Sequence, residues 1–247
     1  EKKPLKLASG SLSNKEFSEL AAKYGITIGR TPITTSLAPG TKDASPFPSD
    51  SLCYQQKRLL VKNINPTDTI IIVGDPKYMD EIASWEGHAK NLNMIKIGKE
   101  LIHYLGISDK EPYRLLNVER GYWGTTPSAH KTNDTIYKLQ VTINYGYDGL
   151  IPNMQLQDKI AEYYADVSYI NGLGYYDFDG QEFLFNNGHG YYSAKRFFRK
   201  MFEKAASYGI PPIRFTGATL SEGSWHYQSI WNLGGGKNLY DVDTREW

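Results

Sequence analysis

Cysteine is nearly absent: the 247 residues contain one, Cys53. That excludes an internal disulfide framework and any cysteine-based zinc site. Long hydrophobic runs are missing too, since none approaches the ~20 residues that a membrane-spanning helix needs. Neither sign of charge dominates, because 28 basic residues against 27 acidic ones leave a formal +1. With no basic tract or stripe, nucleic acid is not expected as a partner. There is no Gly-x-Ser-x-Gly elbow of the serine hydrolases. The run Gly234-Gly235-Gly236 is not a phosphate loop, because no strand leads into it and Lys237 lacks the Ser or Thr that must follow. No His, Asp and Glu spacing marks a metal ligand set, and no cofactor is expected.

What the chain does have is aromatic side chains. Its 19 Tyr, 9 Phe and 5 Trp make up 13% of the residues. Ordinary core and surface tyrosine accounts for such a bias, and so does sugar recognition, in which a pyranose stacks on a ring while its hydroxyls bond polar neighbours.

The stretch from Gly174 to Glu182, Gly-Tyr-Tyr-Asp-Phe-Asp-Gly-Gln-Glu, carries the most chemistry. Its alternation has the period of a β-strand, with Tyr175, Asp177 and Asp179 on one face and Tyr176 and Phe178 on the other. Helical patterns flank it at Gln155–Ile170 and Tyr191–Ala206. That order predicts a strand of a parallel α/β sheet, aromatic face toward the helices and acids toward a barrel or crevice. Chemistry in such folds sits at the carboxyl ends of strands. Asp179 stands there, just before a glycine that permits a sharp turn, and is the first candidate for nucleophile or general acid. Glu182 is the candidate partner and Asp177, one pleat deeper, the third. Asp177 and Asp179 are about 6.6–7 Å apart along a strand, a spacing that does not choose between retention and inversion.

Ser13-Asn14-Lys15-Glu16 is a capping box opening an amphipathic run of Phe17, Leu20, Ala21 and Tyr24 that stops at Gly25. Ile26–Ile33 follows as a short buried strand. Residues 35–52, rich in Pro, Ser, Gly and Thr, form a long loop. From Leu59 to Leu139 the texture is that of a small β domain, with Ile97-Gly98-Lys99-Glu100-Leu101 as a tight hairpin and Asp80–Asn91 as a short helical excursion. Thr142–Asp148 is expected to be the strand on which the α/β pattern resumes, and Pro211–Gly217 another. The division expected is therefore 1–55 as the first part of a (β/α) barrel, 56–140 as an inserted small β domain, and 141–247 as the continuation carrying the acidic strand. Without the insert roughly 165 residues remain, against ~250 for a closed eight-fold barrel. The barrel is thus expected to be partial in this chain and completed by another chain or a further segment.

Substrate-binding candidates are His189, which precedes a helix; Trp225, His226 and Trp231, an aromatic cluster suited to sugar stacking; Arg214, placed to meet an acidic sugar or Asp177; and Arg30, at the end of the first strand. Each has a structural alternative in packing, capping or ion pairing. His130 and Arg120 are assigned to structure, and His88 and His103 to the surface.

The order of elements resembles bacterial glycoside-hydrolase-like (β/α) barrel proteins of polysaccharide degradation, similar in style to the α-galactosidase barrels. The matching points are Gly25-Ile26-Thr27-Ile28-Gly29 with its proline-rich loop, the inserted β domain, and Asp177-Phe178-Asp179-Gly180-Gln181-Glu182. The segment Arg120-Gly121-Tyr122-Trp123-Gly124-Thr125 with Ala129-His130 also resembles a structural motif of small β domains in phage-tail and surface proteins. The resemblance implies a TIM-barrel-like α/β fold, Asp179, Gly180 and Glu182 as the core of the site, a carbohydrate substrate, and a secreted, periplasmic or cell-surface location. The alternatives are a carbohydrate-binding or surface module without catalysis, and a polysaccharide lyase working through Tyr and His.

Overall fold

The structure, a computed structural model, describes residues 12–81, 91–144, 147–217 and Tyr227. The chain divides into two compact units, one joining the residues up to Thr35 to those from Met154 onward, the other being Ser36–Asn153. These borders differ from the expected 55/56 and 140/141, and backbone pairing is the reason. Leu37 bridges to Leu150 and Leu52 to Pro152, and the Cys53 N–H donates to the Ile151 carbonyl at 2.7 Å. The proline-rich loop therefore belongs to the β-rich unit.

The first helix, α1 (Asn14–Ala22), forms where the capping box predicts it. The Ser13 hydroxyl accepts the Glu16 N–H at 3.2 Å while the Glu16 carboxylate accepts the Ser13 N–H at 2.6 Å. Its buried residues are Ser18 and Ala21, however, and the apolar positions Phe17, Leu20 and Tyr24 face outward. Helical periodicity marks a stripe but does not say which stripe meets a core. Strand β1 (Gly29–Arg30) is shorter than the expected Ile26–Ile33, although a bridge at Ile33 prolongs its line.

The chain then builds β2 (Tyr54–Leu59), β3 (Ile71–Ile72), β4 (Met94–Ile97), β5 (Glu100–His103), β6 (Gly106–Ile107), β7 (Arg114–Leu116), β8 (Thr135–Leu139), β9 (Val141–Asn144) and β10 (Tyr147–Leu150). All pair antiparallel, in sheets ordered β2-β8-β4-β5, β3-β7-β6 and β10-β9. The predicted hairpin is β4–β5, with Ile97 opposite Glu100. Between the sheets Leu60, Ile71, Ile95, Ile102, Tyr104, Leu115 and Ile136 lose essentially all contact with solvent. The segment expected as a resumed α/β strand, Thr142–Asp148, is instead divided between β9 and β10 of this unit. The expected helical excursion at Asp80–Asn91, with His88, lies mostly outside the described residues.

His103, expected on the surface, is 7% exposed and stacks on Tyr122 with ring centroids 4.8 Å apart. His130 and Arg120 do serve structure here. Both bind Glu100, a carboxylate in β5 that is 1% exposed.

After Asn153 come α2 (Met154–Asn171), β11 (Tyr175–Phe178), a 3₁₀ turn (Gln181–Asn187), α3 (Tyr191–Ser207) and β12 (Arg214–Gly217). Strands β1, β11 and β12 form a parallel sheet with β11 in the middle. Alternation explains its two faces. Tyr176 and Phe178 are buried against Tyr164 of α2, Phe197 and Phe198 of α3, and Phe215 of β12. The Tyr176 hydroxyl donates to the Tyr164 carbonyl at 2.9 Å and accepts from Ser168 at 3.3 Å, and burial pushes its pKa up to about 12. Tyr176→Phe removes both bonds without removing the ring. It should lower stability by about 1 kcal/mol, seen as a lower urea midpoint with the slope unchanged. Among the described residues no helix is long and apolar enough to cross a membrane.

Candidate functional site

The faces of β11 sort the candidate residues. Tyr175 and Asp177 point away from the helix-packed side and are half-buried, and Asp179 beyond them is exposed. Register pairs Asp177 with Thr216 of β12. The Thr216 hydroxyl donates to Asp177 Oδ1 at 2.6 Å and accepts from the Tyr175 hydroxyl at 2.7 Å. A short hydrogen-bonded chain, Tyr175 to Thr216 to Asp177, thus runs up the sheet toward its carboxyl end.

At that end the backbone holds Asp179 in place. Its N–H donates to the Pro32 carbonyl at 2.9 Å, and its own carbonyl accepts the Thr34 N–H at 3.0 Å. One side-chain oxygen, Oδ1, accepts the Gly180 N–H at 2.8 Å. Gly180 turns the chain in the left-handed region, with φ of 67°. Its carbonyl accepts the Thr34 hydroxyl at 2.5 Å. A Cβ on Gly180 would lie 2.8 Å from the Phe183 ring and 3.0 Å from Ile33. Gly180→Ala is therefore expected to cost about 1–2 kcal/mol from backbone conformation alone, read as a drop in melting temperature. The turn that follows starts at Gln181, whose side chain is buried against Gly217 at the end of β12.

Placement of the other candidates follows from register. Arg214 is the first residue of β12 and pairs with Tyr175, so it sits at the amino end of the sheet, where its guanidinium donates to the Thr27 hydroxyl at 3.2 Å. Position along the strand thus gives Asp177 a threonine partner rather than Arg214. Arg30 pairs with Tyr176 and shares that residue's face, opposite to that of Asp177; its charge acts on the Tyr164 and Tyr176 hydroxyls. His189 is exposed between the turn and α3, and its backbone N–H donates to Asn187 Oδ1 at 3.2 Å. The Glu182 side chain, and Trp225, His226 and Trp231 entirely, lie outside the described residues. The strand end thus brings together Asp177 and Asp179 with residues that sequence reasoning did not single out, namely Tyr175, Thr216, Thr34 and Gln181. Their signal was weak, because each is a neutral side chain whose role comes from register.

A cavity of about 770 Å³, lined by Thr27, Tyr175, Phe202, Arg214, Phe215 and Tyr227 among others, opens at the amino ends of β11 and β12. It lies at the other end of the strands from Asp179, so the site is assigned from the carboxyl groups and the topology rather than from the cavity. Among the described residues no group of three or more His, Cys, Asp or Glu is placed to hold a metal ion. Burial pushes the Cys53 thiol up to about 11, which keeps it from serving as a thiolate nucleophile at neutral pH. The chain matches no model of a protein family, and no curated protein matches it in sequence.

Proposed function

We propose that the chain is a glycoside hydrolase acting on a polysaccharide or oligosaccharide, with Asp179 as nucleophile or general acid. Asp177 and Glu182 are the candidate partner carboxylates. The observation carrying this reading is the position of Asp179: exposed, at the carboxyl end of the central parallel strand, one pleat beyond a second carboxylate on the same face. Two carboxyl groups flanking a glycosidic bond suffice for its hydrolysis without a cofactor. The order β1-β11-β12, with α2 leading into β11 and α3 into β12, suits consecutive strands of a (β/α) barrel whose sequence is interrupted by Ser36–Asn153. In this reading further strands come from another segment or another chain. Location outside the cytoplasm rests on the resemblance to polysaccharide degraders alone.

One observation favours a second reading, a carbohydrate-binding module without turnover. Asp179 Oδ1 accepts the Gly180 N–H, the geometry of an aspartate that stabilises its own turn. Incubating the protein with a panel of glycans and assaying reducing ends decides between them. Release from at least one glycan is expected; binding by calorimetry with no release establishes the module instead.

A further inference from the structure

The hydroxyl of Thr216 stands between two side chains of β11. It donates to Asp177 Oδ1 at 2.6 Å and bonds the Tyr175 hydroxyl at 2.7 Å. A hydroxyl carries one proton, so the donor in the second bond is Tyr175. Both protons therefore point one way, from Tyr175 through Thr216 to the carboxylate, and hydrogen bonds aligned in this sense strengthen one another.

Each hydroxyl is held by a different neighbouring strand. Thr216 lies on β12 in register with Asp177 and is 8% exposed, and its branched Cβ restricts χ1. Tyr175 is held from the other side by Gly29 of β1, its partner in the parallel pairing. A Cβ at Gly29 would stand 2.5 Å from Tyr175 Cδ1 and 2.7 Å from the Tyr175 carbonyl oxygen. Gly29 is not among the residues with positive φ, so the closeness of Tyr175, not backbone conformation, demands glycine there. The ring takes the space that a side chain at position 29 would fill, and its hydroxyl reaches β12. The glycine that closes the Gly25–Gly29 segment thus serves the same face as the two acids.

Asp177 is half-buried and keeps contact with solvent, on the same face as the exposed Asp179. When two carboxyl groups hydrolyse a glycosidic bond, their separation decides whether a water fits between one of them and the sugar. A carboxylate in such a pair has to stay in one rotamer, and an aspartate with room to turn samples several. On the opposite face the Tyr176 hydroxyl donates to a backbone carbonyl, that of Tyr164. The chain from Tyr175 ends instead on a carboxylate one pleat from Asp179. We infer that Tyr175 and Thr216 are positioning residues for hydrolysis, holding the Asp177 carboxylate in the orientation in which it works with Asp179. This rests on the glycoside-hydrolase reading and deepens it, since both hydroxyls act through Asp177.

The test measures kcat and KM at equal folded concentration, on the glycan that the wild type cleaves fastest. The variants are Thr216→Val, Thr216→Ser, Tyr175→Phe, the Thr216→Val and Tyr175→Phe double, and Asp177→Asn. Misplacing a reacting group by about 1 Å costs up to roughly 10²-fold, so Thr216→Val is expected to lower kcat by roughly ten- to a hundredfold with KM unchanged. Thr216→Ser keeps the hydroxyl and should restore most of the rate. Tyr175→Phe should give a smaller fall in kcat and none beyond that of Thr216→Val in the double variant. A Thr216→Val protein that melts lower but keeps its kcat overturns the inference, because the hydroxyl then serves the fold alone. So does a serine variant as slow as the valine one, or a further loss in the double variant. Full activity in Asp177→Asn overturns it while leaving the hydrolase reading intact on Asp179. A wild type that releases nothing from any glycan removes that reading and this inference together. If Thr216→Val does not fold, Tyr175→Phe against wild type carries the same contrast, a lower kcat at unchanged KM.

Discussion

Replacing Glu100 with alanine is expected to destabilise the Ser36–Asn153 unit by about 3–5 kcal/mol, the cost of leaving one half of a buried ion pair. Glu100 receives two bonds from the Arg120 guanidinium at 2.8 Å each and one from His130 Nε2 at 2.7 Å. It also accepts the backbone N–H groups of Gly121 at 3.0 Å and Ser128 at 3.1 Å. Without it the Arg120 guanidinium, 6% exposed, is buried beside no carboxylate, and the segment from Arg120 to His130 loses its common anchor. Urea unfolding of the variant at pH 7 measures the loss. Burial by itself pushes the Glu100 carboxyl up, but the bonds from His130 and Arg120 outweigh it and hold the pKa at about 2. A carboxyl held below its unfolded value of 4.5 contributes in full above that value, and the contribution fades as pH falls toward 2. The stability difference between wild type and Glu100→Gln should therefore be largest near neutrality and shrink between pH 4.5 and 2.

Asp179→Asn is expected to lower hydrolysis by roughly 10²–10⁴-fold, the range for loss of a positioned acid or base. Asparagine retains an Oδ1 to accept the Gly180 N–H, and the bonds to Pro32 and Thr34 are backbone bonds. Melting temperature should therefore stay close to that of the wild type, which separates loss of chemistry from loss of fold. A turn-stabilising aspartate without chemical work would give the same melting temperature and unchanged hydrolysis.

Local signals were legible in the sequence. The capping box at Ser13–Glu16 and the Gly98-Lys99 turn act over a few residues, and both formed as read. So did the alternation that buries Tyr176 and Phe178 while leaving Asp177 and Asp179 away from the helices. What failed depends on contacts between distant segments. The outward stripe of α1 and the split of Thr142–Asp148 between antiparallel strands are set by what each segment packs against. Glu100 was invisible because its donors come from Arg120 to His130, and a strand with all four residues buried shows no alternation. Arg214 read as a site residue because sequence gives a strand but not its register. Gln181 drew no notice because its burial against Gly217 is a property of packing.

The most direct measurement is reducing-end release from one panel of glycans by wild type and Asp179→Asn, side by side at equal folded concentration. The expected result is release by the wild type from at least one member and a loss of roughly 10²–10⁴-fold in the variant. Equal release by both proteins, or none by the wild type, contradicts the assignment of Asp179 as the reacting carboxylate.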